Sequence, residues 1–160
     1  MSDQDPTSFG LPVLVSACLA GRACRFDGSS NRDDAVARLV AEGRAVLVCP
    51  EEDGGLGTPR PPAEIVGGDG HSVLDGTAKV VTEDGRDVTE EYVRGAHVAL
   101  EAATRCGART AILKVRSPSC GKGAVYDGSF ERRLTKGDGV TAALLKRSGI
   151  EVLGNEVVNP

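Results

Sequence analysis

The segment Ala111-Ile-Leu-Lys-Val-Arg-Ser-Pro-Ser-Cys-Gly-Lys-Gly123 begins as an apolar run and turns abruptly polar at Arg116. A strand that delivers a loop reads this way. Serine, proline and glycine do not prolong a strand, so the chain leaves the sheet and presents Cys120 at its carboxyl edge, between two hydroxyls and a lysine. In an open α/β sheet that edge is where ligands bind. Two other apolar runs end alike: Val13-Leu-Val-Ser16 leads into Ala17-Cys18, and Ala45-Val-Leu-Val48 into Cys49-Pro50. One cysteine after a strand is ordinary, because a free thiol behaves as a small hydrophobe. Three in the same setting point to a shared site.

Composition limits what those cysteines can do. A chain of 160 residues builds one ordinary α/β domain with a real core. A single domain is expected over residues 11–160, behind a polar and mobile tail at 1–10. The formal charge of -4 is spread along the chain and creates no basic field to collect a nucleic acid polymer. Met1 to Gly10 lacks the basic start and apolar run of a secretory signal, and no stretch approaches 18 apolar residues, so a membrane partner is not expected and a cytoplasmic location is. The five cysteines are an odd number, and in a reducing compartment such thiols more often bind metal or do chemistry than form disulfides. No feature of the sequence specifies an oligomeric state.

In chain order, Leu11 to Ala17 reads as the first strand, and a glycine-punctuated loop then separates Cys18 from Cys24 by five residues, wider than a zinc-knuckle spacing. Cys24 is expected to pack under that loop as a bystander. Asn31 to Gly43 reads as a helix capped by Asn31, with Val36, Leu39 and Val40 on one face. After the second strand comes the aperiodic, proline- and glycine-rich stretch Pro50 to Pro62, which carries Glu51, Glu52, Asp53 and Arg60; a loop of that length needs a function. Ala63 to Thr82 reads as short antiparallel strands joined by glycine turns, a β insertion over one end of the sheet, with His71 exposed in a turn. Thr89 is expected to cap a helix running to Cys106-Gly107. A strand over Thr110 to Val115, a short strand Ala124 to Tyr126, a helix within Gly137 to Gly149 and a strand Ile150 to Leu153 complete the pattern. The fold class is therefore α/β, a three-layer, mostly parallel, Rossmann-like sheet with a small β insertion. Neither a Gly-x-Gly-x-x-Gly after the first strand nor a Walker lysine motif is present, so this fold class does not bring a nucleotide with it.

Seven ordered blocks resemble one bacterial family: Ser16-Ala-Cys-Leu-Ala-Gly21, Arg25-Phe-Asp-Gly28, Val48-Cys-Pro-Glu51, Gly54 to Glu64, Leu113 to Gly121, Tyr126-Asp-Gly128 and Gly137 to Leu144. The family is domain of unknown function 523, whose characterised branch is 2-thiouracil desulfidase, and the resemblance extends from about Leu11 to Leu153. It implies a 4Fe-4S cluster on three cysteines matching Cys18, Cys49 and Cys120, with one iron free for the substrate's sulfur. It also implies a catalytic carboxylate and hydroxyl, matching Glu51 and Ser117. Leu56-Gly57-Thr58 departs from the expected Leu-Pro-Thr, which loosens the loop without removing a functional group.

The residues agree with this on their own chemistry. Thiolates are soft ligands suited to iron-sulfur clusters, and three where a closed site has four leave one metal position open. A soft open iron would hold the sulfur of a small thiolated substrate and polarise its carbon-sulfur bond toward water. Glu51 is placed to act as general acid or base and Ser117 to donate or relay a proton. Arg60, on a proline-stiffened loop, reads as a cation that orients substrate or cluster, and Ser119, beside Cys120, as a substrate contact. Two other readings stand beside this one: a metal or iron-sulfur module that senses or carries sulfur without turnover, and a cysteine-nucleophile enzyme, against which the contexts of both histidines argue.

Overall fold

The computed structural model describes residues 12–155. The tail expected at 1–10 lies outside the described residues. Four parallel strands, β1 (Val13–Ser16), β2 (Ala45–Val48), β5 (Thr110–Leu113) and β8 (Glu151–Gly154), form the central sheet in the order β2-β1-β5-β8. Strand periodicity of two explains how this sheet comes to have covered faces on both sides. Leu14, Ala111, Leu113 and Val152 point to one face and pack on α4 (Thr89–Cys106) and α5 (Val140–Arg147) through Ala99, Ala103, Ala142 and Leu145. Val13, Val15 and Ile112 point the other way, onto Val36 and Leu39 of α1 (Asp34–Ala41). The result is the expected three layers.

The topology also places the site. From β1 the chain first turns outward to β2, and later returns to add β5 on the opposite side of β1. The carboxyl ends of β2, β1 and β5 therefore surround the point where the winding reverses, where loops diverge and leave a crevice.

Several local expectations are corrected. Helix α1 starts later than Asn31: Asp33 caps it, its carboxylate accepting the N–H groups of Ala35 and Val36, while the Asn31 N–H goes to the Cys18 carbonyl. Val40 is 40% exposed and lies off the core face. The stretch from Pro50 is not all loop, since Pro50–Asp53 forms the short helix α2 with proline in its first turn. Within the insertion, β3 (Ala63–Val66) and β4 (Lys79–Thr82) pair antiparallel as expected, but Gly70–Leu74 between them is helix α3, not a strand. A reciprocal cap decides it: the Asp69 side chain accepts from the Ser72 N–H and the Ser72 hydroxyl accepts from the Asp69 N–H. Thr89 is the first residue of α4 rather than its cap; Asp87 accepts the Thr89 N–H and Thr89 Oγ1 accepts from Val80 N–H. Strand β5 stops at Leu113, before the expected Val115, because side chains replace the ladder: Ser16 Oγ takes the Lys114 N–H and Asn155 Oδ1 takes the Val115 N–H. Strand β6 (Ala124–Tyr126) has a partner the sequence did not reveal, β7 (Leu134–Lys136), whose three residues are all exposed and so carry no alternation. Among the described residues no helix is long and apolar enough to cross a membrane.

Candidate active site

Each thiol owes its position to a local device at a strand end. Cys18 sits on a 3-10 turn (Ala17–Ala20) that continues β1 and is stopped by Gly21 at φ 101, a left-handed conformation glycine adopts without a Cβ clash. Cys49 occupies the residue before α2, where its N–H is accepted by the Asp53 carboxylate. Cys120 is held by Ser117, whose Oγ accepts the N–H of Ser119 at 3.1 Å and of Cys120 at 2.7 Å, closing the Ser-Pro-Ser-Cys turn. All three thiols are buried, and they line one cavity of about 600 Å³ together with Cys24, Glu51 and Ser117.

Cys24 is packed in the core beneath the loop that follows Cys18, among the other thiols. It is 3% exposed, and its carbonyl accepts the Cys49 Sγ–H at 3.8 Å. Hydrogen bonding to Cys18 and burial push the Cys24 thiol up to about 11. Cys49 is raised by its bond to Cys24 and by burial, and burial pushes Cys120 up to about 12. Thiols so placed do not all ionise unaided; a multiply charged, soft metal centre is the partner that makes their thiolate forms favourable. Among the described residues no three His, Cys, Asp or Glu side chains are arranged around a single ion. Soft thiols delivered from three strand ends to one cavity are the donor set that an iron-sulfur cluster takes.

The carboxylate beside the thiols is fixed from two sides. Glu51 Oε2 accepts from Arg60 Nη2 at 2.5 Å and Oε1 accepts from the Tyr92 hydroxyl at 2.5 Å. Arg60 is itself anchored, donating to the carbonyls of Gly57 and Cys24 and to Thr58 Oγ1. Burial alone would loosen the proton of Arg60, but the charge of Glu51 outweighs it and holds the guanidinium more firmly protonated than usual. Lys114 lines the cavity too, and burial lowers its ammonium below the ordinary lysine value.

A profile of the family described as 2-thiouracil desulfurase matches residues 13–156. The chain belongs to the 2-thiouracil desulfurase family. Among its relatives is the uncharacterized protein YbbK of Bacillus subtilis (strain 168), 50% identical over 147 residues that cover 92% of this chain and 97% of that protein. A solved structure of the 4Fe-4S-dependent thiouracil desulfidase TudS superposes with a TM-score of 0.81 at 47% identity, covering 91% of each chain. In this 2-thiouracil desulfurase family member, Arg60 and Ser119, the two residues expected to contact substrate, are not among the residues that line the cavity. The Arg60 side chain is 5% exposed and serves Glu51, and the Ser119 hydroxyl is bonded to Thr141 Oγ1 at 2.8 Å on the α5 side. Tyr92 is the residue the sequence reading missed. Its spacing marks it as core, and nothing local couples it to Glu51, 41 positions away.

Proposed function

We propose that this protein hydrolyses a thiolated pyrimidine without net electron transfer, replacing the thiocarbonyl sulfur of a thiouracil-type ring by water oxygen and releasing hydrogen sulfide. The observation that carries the reading is the convergence of three buried strand-end thiols, a doubly anchored carboxylate and a serine hydroxyl on one cavity. Cys18, Cys49 and Cys120 would hold the 4Fe-4S cluster, and Cys24 would lie against two of the ligands. When bound, the cluster supplies a soft Lewis-acidic iron for the substrate's sulfur.

The chain's own groups supply the rest. Ser117 Oγ has both acceptor positions occupied by backbone N–H groups, so its remaining capacity is the hydroxyl hydrogen, available to donate to the ring or the departing sulfur. Each Glu51 oxygen accepts one bond and keeps a second lone pair, with which it can take a proton from the attacking water. The Lys114 ammonium adds positive charge near the positions of Cys18 and Cys120, where negative charge accumulates when sulfide leaves. A reducing cytoplasm, where thiols and clusters persist, is the compartment this chemistry requires.

The test is sulfide release from 2-thiouracil and 4-thiouracil by anaerobically purified, brown protein, with the oxo-pyrimidine formed in equal amount. Protein with an intact cluster that leaves a panel of thiolated bases and nucleosides unchanged would overturn the proposal in favour of a sulfur-sensing or carrier module.

A further inference from the structure

Tyr92 lies on the inner face of α4 and is 3% exposed. Its ring packs in an apolar cluster with Ile65, Val73, Val80 and Ala96, surroundings that a phenylalanine would fill equally well. A hydroxyl buried there costs stability unless it has a partner, and it has one: Glu51 Oε1 at 2.5 Å. Arg60 holds the other oxygen of the same carboxylate at the same distance. Two donors, one from α4 and one from the segment 57–60, therefore fix the plane of the Glu51 carboxylate relative to the cavity that Glu51 and Tyr92 line. With Arg60 alone, the carboxylate could pivot about its last torsion, a broad and soft rotation.

We infer that Tyr92 is a positioning residue for the desulfuration, holding the Glu51 carboxylate in the orientation from which it takes the proton of water. The inference rests on the proposed role of Glu51. Burial and the neighbouring carboxylate raise the phenol well above its ordinary value, which keeps it a donor throughout the working range. Because Tyr92 acts on the carboxylate and not on substrate sulfur, its loss belongs in kcat rather than in KM.

The test is a double-mutant cycle on cluster-loaded protein. Tyr92→Phe removes the hydroxyl and keeps the ring. It is expected to lower kcat by about tenfold, the equivalent of one hydrogen bond to a charged group, with KM and cluster absorption unchanged. In a Glu51→Gln background the same change should have little further effect. A second readout needs no turnover: the chain has two tyrosines and no tryptophan. Ultraviolet resonance Raman of loaded Tyr126→Phe protein therefore reports Tyr92 alone, and should show a strong hydrogen-bond donor that weakens on adding Glu51→Gln. A Tyr92→Phe enzyme at full kcat beside an impaired Glu51→Gln enzyme refutes the inference alone, as do equal losses from Tyr92→Phe in both backgrounds. Full activity of Glu51→Gln refutes the reading of Glu51 and this inference with it.

Discussion

Replacing Gly95 by alanine tests whether the α2–α4 contact holds the site together. Gly95 lies in the middle of α4 at its closest approach to α2, and an added Cβ would clash with the Pro50 carbonyl oxygen and lie 2.7 Å from the Pro50 carbonyl carbon. Ordinary contact begins at 3.4 Å and the oxygen is nearer still than the carbon, so the helices must separate by about 1 Å or more. Gly54 closes the other side of the same contact, where a Cβ would sit 3.0 Å from the Gly95 nitrogen, so α2 has little room to slide. Pro50 stands between Cys49 and Glu51, and any shift of it moves a ligand thiol and the carboxylate together. On helix propensity alone Gly→Ala in a helix interior stabilises by about 1 kcal/mol. Overpacking at a fixed backbone contact costs about 1–3 kcal/mol. The net expectation is a loss of up to about 2 kcal/mol, or a fall in melting temperature of roughly 4–8 °C for a domain of this size. Displacing reactive groups by about 1 Å lowers turnover by about a hundredfold. Circular-dichroism melting and sulfide release on the anaerobic protein read both effects. A Gly95→Ala protein that melts at or above the wild-type temperature with full kcat would show that propensity wins and the contact does not position the site.

Cys18→Ser, Cys49→Ser and Cys120→Ser should each lose the cluster or leave it labile, whereas Cys24→Ser and Cys106→Ser should keep it; iron content and visible absorption decide, and a cluster lost only in Cys24→Ser would reassign the ligands. Ser117→Ala should lower kcat by about a hundredfold or more. It also removes the acceptor for the Ser119 and Cys120 N–H groups and leaves the Gly121 N–H to Ser117 carbonyl bond to hold the turn, so iron content is measured beside turnover, and unchanged turnover excludes the hydroxyl from the reaction. Asp138 is buried between α3 and α5, accepting from Lys146 Nζ at 2.9 Å, His71 Nε2 at 3.1 Å and Gly123 N–H at 2.9 Å. Burial opposes its ionisation, but these donors outweigh it and hold the carboxyl below its ordinary 3.8. A carboxyl depressed on folding contributes its stability above the unfolded value and loses it as pH falls through the folded one. Asp138→Asn should therefore cost about 2 kcal/mol at pH 7, from bonds made to a charge. The gap to wild type should close as denaturation is followed to pH values below about 4; a gap that persists there would assign the loss to shape and not to charge.

What the sequence determined is what neighbours in the chain decide. Runs such as Val13–Ser16, Ala45–Val48 and Thr110–Leu113, each stopped by turn-forming residues, specify strands by apolar continuity and their ends by backbone chemistry. The three-layer parallel sheet and the placing of Cys18, Cys49 and Cys120 at one edge follow, and the motif blocks identify the family. Short-range competition was less legible: the Asp69–Ser72 cap made a helix of a short run that its flanking glycine turns mark as a strand, and β7 exists only because β6 pairs with it. Only the tertiary structure decided which polar groups meet. Glu51 is joined to Tyr92 across 41 positions, Arg60 to the Cys24 carbonyl across 36, and Cys24 to Cys49 across 25. Such pairs leave no period or spacing in the sequence, because each side chain also fits a local role as core, surface charge or buried thiol. Packing of α4 against α2 and against the insertion brings Glu51 and Tyr92 together, and the low dielectric of that contact makes an unpaired phenol costly and its bond to the carboxylate favourable.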